Sequence, residues 1–164
     1  MNRISPSAPD GALAQAEHVS AAWLSQHCGS GFVIDDDDLH CLRAIALNHD
    51  DETVSHLLLR KLRLARTIHG YLMPLDVVVL NSVVDFSFGE RRSLVSLVHP
   101  RAATASDRLS VASLAGAGLI GLRAGQKIAW PSHDGTLQQL KVHSVERRRS
   151  TVTGKEARRL KCGS

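Results

Sequence analysis

The sequence has few aromatic residues, few cysteines and no long apolar segment. Aromatic side chains make up 4% of the 164 residues, so the predicted core consists mainly of Leu, Val, Ile and Ala. The cysteines, Cys28, Cys41 and Cys162, lie far apart and form no CxxC pair, which predicts neither a disulfide framework nor a thiolate zinc site. Apolar runs such as Val77–Leu80 are too short to span a bilayer, and residues 1–30 lack a signal-peptide pattern. We therefore expect a cytoplasmic protein without membrane contact.

Motifs for nucleophilic catalysis and phosphate binding are also missing. The sequence contains no GxSxG elbow and no glycine-rich loop followed by a Walker lysine. Gly116, Gly118 and Gly121 do not open a βαβ unit, so they indicate close packing of a helix on a sheet instead. His40, His49 and His56 include no tight metal-ligand pair. The sequence therefore predicts no catalytic residue, no cofactor and no metal site.

Charge is unevenly distributed along the chain, whose formal net charge is +4. Asp35–Asp38 is a run of four acids, for which we expect helix capping because carboxylates accept the free N–H groups of a helix start. Arg147–Lys161 holds seven Lys or Arg against one Glu. This basic tail over 147–164 is either solvated or a sequence-blind contact for nucleic acid through Arg147, Arg148 and Arg149.

The first third of the chain is predicted to be helical. Residues 1–31 read as a loosely ordered N-terminal extension. Two amphipathic patterns follow, the first from the Asp35–Asp38 cap to about Leu47 and the second from about Thr53 to Ile68, with a short polar turn between them. They predict a short antiparallel helical hairpin over 32–70. Its tip holds Asp50, Asp51 and Glu52.

The second helix has one apolar and one basic face. The basic residues, expected to lie on its outer face, are Arg60, Lys61, Arg63 and Arg66. This face is either solvated or a docking surface, for which Arg60 and Arg63 are the candidates.

After residue 75 the apolar period changes to two, which is typical of strands. The predicted strands are Val77–Leu80, Val83–Phe88, Ser93–Val98, Leu109–Val111, Gln126–Trp130 and Leu137–Val145. Leu114–Gly121 is small, apolar and rich in glycine, which predicts one or two helical turns across the sheet. The expected fold class is therefore α+β, with a helical hairpin followed by an antiparallel sheet with one short helix over 75–146.

The second half of the chain contains an ordered series of short motifs. They are Met73-Pro74-x-Asp76-Val77-Val78, Asn81-Ser82, Leu97-Val98-His99-Pro100, Leu109-Ser110-Val111, Gly116, Leu119-Ile120-Gly121-Leu122 and Gly125-Gln126-x-Ile128-x-Trp130-Pro131. The series resembles the Rnk family, the regulators of nucleoside diphosphate kinase, and more distantly the Gre transcript-cleavage factors. The resemblance covers about residues 32–146.

The resemblance implies an FKBP-like C-terminal domain and docking at the rim of the RNA polymerase secondary channel. In Gre-type proteins the contact surface includes a Ser-Pro-(Ile/Val)-Gly motif, which corresponds here to Ser113, Leu114, Ala115 and Gly116. Leu114 stands where that motif has proline, and proline would pre-set the backbone that enters the helix.

The resemblance also raises the question of whether the tip acids help transcript cleavage, and the predicted length of the hairpin argues against this role. Gre factors carry acids at the tip of a long coiled coil, where they help hold a catalytic magnesium ion. A helix of about 12 residues is only ~18 Å long, which is too short to carry Asp50, Asp51 or Glu52 to the active centre of the polymerase. These acids are instead expected to cap the second helix from a solvated loop, or to contact a basic polymerase surface. Three hypotheses remain: a non-catalytic polymerase-binding regulator, a nucleic-acid-associated protein that uses the basic tail, and a transcript-cleavage factor.

Overall fold

The computed structural model describes residues 31–147. The predicted N-terminal extension, apart from residue 31, lies outside the described residues. The same holds for the basic tail beyond Arg147, including Arg148 and Arg149. Within the described range, no helix is both long and apolar enough to cross a membrane.

The acidic run begins a helix, as the sequence predicts. Strand β1 (Val33–Asp35) leads directly into helix α1 (Asp36–Leu47). The Asp35 carboxylate accepts a hydrogen bond from the Asp37 backbone N–H at 3.1 Å, so Asp35 is the N-cap. The capping interpretation of the four aspartates is therefore confirmed for Asp35.

Helix α2 (Glu52–Leu64) ends four residues earlier than the sequence predicts. Ala65 has an extended backbone, and the Arg66 N–H donates to the Phe32 carbonyl at 2.8 Å. Residues Arg66–Ile68 then form strand β2, which pairs parallel with β1. The expected helix end at Ile68 is wrong because backbone pairing with β1 replaces the last helical turn.

The two helices pack on each other beside the sheet. The Ser55 hydroxyl on α2 donates to the Ala46 carbonyl on α1 at 2.6 Å. Leu42 and Leu58, one from each helix, are fully buried and belong to a hydrophobic cluster that also includes Leu97 and Trp130 from the sheet. The helix pair therefore shares a core with the rest of the described chain.

Five strands form the main sheet. They are β3 (Ser82–Phe88), β4 (Arg91–Val98), β5 (Arg108–Ser110), β6 (Lys127–Pro131) and β7 (Leu137–Arg147), arranged in the order β5-β4-β3-β7-β6. Helix α3 (Leu114–Leu119) follows β5. The α+β prediction with one short helix is confirmed at this level. The expectation of a fully antiparallel sheet is wrong for one pair, since residues 99–107 return the chain so that β5 runs parallel to β4.

Val77–Leu80 is buried but is not a strand, which corrects another prediction. All four side chains are at most 5% exposed. The Val78 N–H donates to the Leu122 carbonyl at 2.8 Å, and the Gly121 N–H donates to the Val78 carbonyl at 2.9 Å. This segment satisfies its backbone against the chain after α3, and burial on both sides explains why its sequence looks like that of a strand.

Cys41 is disulfide-bonded in the structure. The sequence predicts no disulfide framework and does not anticipate this bond. The other two cysteines, Cys28 and Cys162, lie outside the described residues. Wide spacing gave no signal for this bond, because sequence separation does not fix the distance between two cysteines in the fold.

Candidate functional site

The Ser113–Gly116 stretch begins helix α3 at the end of β5. The Ser113 hydroxyl oxygen accepts a hydrogen bond from the Gly116 N–H at 3.0 Å and donates to the Ser110 carbonyl at 2.6 Å. Ser113 is thus an N-cap that also ties the helix to β5. These two bonds fix the start of α3 and with it the orientation of the stretch.

The four candidate contact residues differ in their exposure. Leu114 and Gly116 are buried, whereas Ser113 and Ala115 are half-buried. The Leu114 side chain joins the core, and its carbonyl accepts a hydrogen bond from the Trp130 indole N–H at 2.7 Å. Ser113 and Ala115 are therefore partly accessible to solvent, while Leu114 and Gly116 are part of the packed interior.

The four basic residues predicted to share one exposed face of the second helix differ in exposure and position. Arg63 is exposed and Arg60 is half-buried, while Arg66 is exposed but lies on β2. Lys61 is fully buried, with an exposed fraction of 0%, so its expected place on the outer face is wrong. The sequence held a signal for this position, because Lys61 follows the apolar Leu57 by four residues, which places both on one face of a helix.

Lys61 reaches from α2 to the end of α3. Its Nζ donates to the Ala117 carbonyl at 3.2 Å and to the Gly118 carbonyl. The same atom lies 4.9 Å from the centre of the Phe32 ring and 5.4 Å from that of Trp130. Burial lowers the pKa of Lys61 well below its usual value, because a buried site disfavours the charged amine.

The three tip acids do not act alike. The Asp51 carboxylate accepts hydrogen bonds from the N–H groups of Thr53 at 2.9 Å and Val54 at 3.2 Å, which makes it the N-cap of α2. Asp50 and Glu52 are exposed, and Glu52 lies in the first helical turn. The tip therefore carries one carboxylate that is committed to helix capping and two that face solvent.

A groove of about 680 Å³ lies between α1 and the segment after β4, and its lining includes Ala112, which precedes Ser113 in the chain. It is lined by His40, Cys41, Ala44, Ile45, Asn48, His49, His99, Pro100, Arg101 and Ala112. Burial, and to a lesser degree the charge of Arg101, lowers the pKa of His99. Arg101 gives the groove a fixed positive charge, and the lowered pKa of His99 keeps that ring neutral to a more acidic pH.

Within residues 31–147, the carboxylates at the start of α1 form a group with the spacing of metal ligands. One carboxylate oxygen from each of Asp35, Asp36 and Asp37 lies within 4.8 Å of the others. Asp35 is the N-cap of α1. This arrangement agrees with helix capping by Asp35, and Asp36 also contacts the His69 imidazole.

Arg147, the described member of the basic tail, contacts the linker that precedes the sheet. Its guanidinium donates to the carbonyl groups of Met73 at 3.2 Å and Pro74 at 3.3 Å. Arg147 therefore has a role within the fold, and a nucleic-acid contact would depend mainly on residues beyond it.

Comparisons with known proteins identify similar chains. No family model matches the sequence. Two curated relatives, from Escherichia coli strain K12 and Shigella flexneri, are both called regulator of nucleoside diphosphate kinase. Each is 44% identical to this chain over 78 residues, which cover 45% of this chain and 57% of the relative. The chain thus spans little more than half the length of the curated relatives that it matches.

A solved structure has the same fold. It is the prokaryotic transcription elongation factor GreA/GreB from Nitrosomonas europaea, with a TM-score of 0.57 and 23% sequence identity. The similarity covers 71% of this chain and 98% of that one. At this identity the likeness establishes the fold alone. The resemblance predicted from the motifs is therefore confirmed: over 78 residues this chain is similar to the regulators of nucleoside diphosphate kinase, and it has a GreA/GreB-like fold.

Proposed function

We propose that this chain is a non-catalytic regulator of transcription that binds RNA polymerase near the secondary channel and competes there with Gre-type factors. The observation that carries the proposal is a short helix pair combined with a GreA/GreB-like fold. Docking needs the body of such a fold, whereas transcript cleavage also needs an arm that reaches the active centre. The chain has a body with this fold, and the helices of its described residues are too short to form such an arm.

The lengths of the helices support binding without cleavage. Helix α1 has 12 residues and α2 has 13, which corresponds to about 18 and 20 Å at 1.5 Å per residue. An arm of this length ends near the rim of a deep channel. In addition, Oδ1 of Asp51 already accepts hydrogen bonds from two backbone N–H groups, so a metal ion would have to be bound mainly through Oδ2.

The proposal also includes a division of the chain into two parts. We assign residues 32–70 to an antiparallel helical hairpin and residues 75–146 to an FKBP-like domain. The contact between Ser55 and Ala46 and the five-stranded sheet with α3 beside it support these assignments. The polymerase-facing surface would then comprise Ser113 and Ala115 on the body, together with Arg60 and Arg63 on α2.

Binding to purified core RNA polymerase tests the proposal. Ala115→Arg places a large cation in the candidate surface and is expected to reduce binding, whereas Ser93→Arg places the same side chain at an exposed position on β4 and is expected to bind like the wild type. An excess of a Gre-type factor should displace the wild type. Failure of the wild-type protein to bind core polymerase would remove the proposal.

The nucleic-acid alternative is tested by deleting residues 148–164. The deletion keeps Arg147, whose contacts with Met73 and Pro74 belong to the fold. The alternative expects a DNA affinity that falls steeply with salt and is lost with the tail, because counterion release drives such binding. The polymerase proposal expects the truncated chain to retain polymerase binding.

The cleavage alternative is tested on stalled elongation complexes. We expect the wild type to leave the rate of transcript cleavage unchanged. Stimulated cleavage that is lost in Asp50→Ala or Glu52→Ala, the two solvent-facing tip acids, would contradict this and assign the chain to the transcript-cleavage factors.

A further inference from the structure

Lys61 is a lysine buried where four parts of the fold meet. It lies on α2, its Nζ donates to carbonyl groups at the end of α3, and the rings beside it come from Phe32 before β1 and from Trp130 on β6. None of its side chain is exposed. An unpaired cation at such a depth would be strongly unfavourable, so these contacts are what keeps the amine in place.

The contacts of the Lys61 amine partly offset the cost of burying its charge. The last carbonyl groups of a helix lack partners within the helix, and Lys61 supplies donors to Ala117 and Gly118. The faces of aromatic rings attract cations through their quadrupole, and Phe32 and Trp130 lie within the usual range of about 6 Å. Both kinds of contact favour the charged amine and partly offset its desolvation.

Helix α3 is held at both ends by groups from other elements. The Trp130 indole binds the Leu114 carbonyl at the first residue, and Lys61 binds the carbonyl groups near the last. A Cβ on Gly118 would lie 2.9 Å from the Trp130 indole nitrogen, which explains how close the helix comes to the sheet. Trp130 therefore binds the start of α3 and Lys61 binds the carbonyl groups near its end.

We propose that Lys61 is a positioning residue that fixes α3 against α2, so that Ser113 and Ala115 are presented together with the exposed face of α2 as one rigid docking surface. The docking role of this surface rests on the proposed polymerase binding. The structural role of Lys61 can be tested without polymerase. Lys61 itself touches no partner and acts through the helix that it holds.

The structural part is tested by the fluorescence of Trp130. In a Trp23→Phe background Trp130 is the sole tryptophan, and loss of the nearby ammonium charge is expected to shift its emission. The titration midpoint should lie below 10.5, the usual value for lysine. The transition should vanish in Lys61→Met and persist in Lys127→Met, which removes an exposed lysine from the same strand as Trp130. A wild-type titration that Lys61→Met leaves unchanged overturns the proposal.

The functional part is tested by polymerase affinity. We expect folded Lys61→Met to bind core polymerase ~10-fold more weakly than the wild type, equivalent to about 1.4 kcal/mol, while Lys127→Met binds normally. If circular dichroism shows Lys61→Met to be unfolded, Lys61→Gln replaces it, because its amide still donates one hydrogen bond; a smaller loss of affinity is then expected.

The outcomes separate the two proposals. A wild type that fails to bind polymerase removes the proposed function and the docking consequence, whereas the fluorescence titration still decides whether the Lys61 amine lies beside Trp130, as its contacts with α3 require. Normal affinity in a folded Lys61 variant, with wild-type binding intact, overturns the positioning role alone.

Discussion

The carbonyl oxygen of Ser110 lies 2.0 Å from the position that a Cβ atom on Gly116 would occupy. Such a contact is far inside the van der Waals distance, so any side chain at residue 116 must move either β5 or α3. Because the Gly116 N–H also binds the Ser113 hydroxyl, the displacement would disturb the cap of α3. Glycine at this position is therefore required by packing rather than by a left-handed backbone.

Gly116→Ala is expected to lower the free energy of unfolding by about 1–3 kcal/mol, the usual range for overpacking a close contact. Urea unfolding followed by circular dichroism measures this change. Gly31→Ala is the matched control, since nothing lies within 4 Å of a Cβ there. Equal stabilities of the two variants would contradict the packing argument.

Leu114→Pro restores the proline of the Gre-type motif and is expected to strengthen polymerase binding. Ser113 already has φ −77° and ψ 159°, an extended conformation that suits the residue before a proline, and Leu114 is the first residue of α3, where proline is tolerated. The substitution removes a buried side chain, so we expect the variant to be less stable than the wild type.

Leu114→Ala is the control for this variant. It removes the same apolar side chain without fixing the backbone, and its free energy of unfolding should fall by about 2–5 kcal/mol. Equilibrium binding to core polymerase compares the two. Equal affinity of the proline and alanine variants would show that the pre-set backbone is irrelevant to docking.

Much of the fold could be predicted because local rules determine it. The Asp35 cap and the α3 helix follow from short patterns whose physics does not depend on distant residues. The candidate stretch Ser113–Gly116 was found from its resemblance to a motif, and the structure adds which of its side chains are accessible.

The errors arise where distant backbone segments meet. The helix pattern that runs to Ile68 gives way at Leu64 because β1 offers a pairing partner, and no local signal reports that partner. Lys61 was assigned to solvent because lysine is rarely buried. Its burial depends on the carbonyl groups of Ala117 and Gly118, more than fifty residues away along the chain.

Asp51→Ala is expected to lower the free energy of unfolding by ~1 kcal/mol, the typical loss when a helix N-cap is removed. Its carboxylate binds the N–H groups of Thr53 and Val54, which would lose their partner. Asp50→Ala removes a neighbouring exposed acid and should change stability by less than about 0.5 kcal/mol. Thermal or urea unfolding distinguishes them; equal losses would mean that Asp51 does not act as the cap.

The turn before β7 is expected to hold an unusually acidic carboxyl group. Hydrogen bonds from the hydroxyl group of Ser132 and then from Thr136 lower the pKa of Asp134 to about 2. Its contribution to stability is therefore present above about pH 4 and is lost as the pH falls towards 2. An NMR titration of the Asp134 carboxyl carbon measures the pKa. Ser132→Ala should raise it, whereas Ser106→Ala, at an exposed loop position, should not; a wild-type midpoint near 4 would contradict the prediction.

The stability of the fold should rise with pH on the alkaline side because of Lys61. Burial lowers the pKa of this amine in the folded chain well below 10.5. Between the lowered pKa and the unfolded value of about 10.4, the unfolded chain binds a proton that the folded chain does not, so the free energy of unfolding increases with pH in this window and gains nothing below it.

Urea unfolding of the wild type and of Lys61→Met, between about pH 7 and about pH 10, measures this contribution as the difference between the two curves. The difference should grow in favour of the wild type as the pH rises, because only the wild type releases the strain of burying a charged amine. Lys127→Met, whose lysine is exposed, should keep the wild-type slope. Parallel curves for the wild type and Lys61→Met would mean that the buried amine titrates at its ordinary value and that the contacts with α3 fully offset its desolvation.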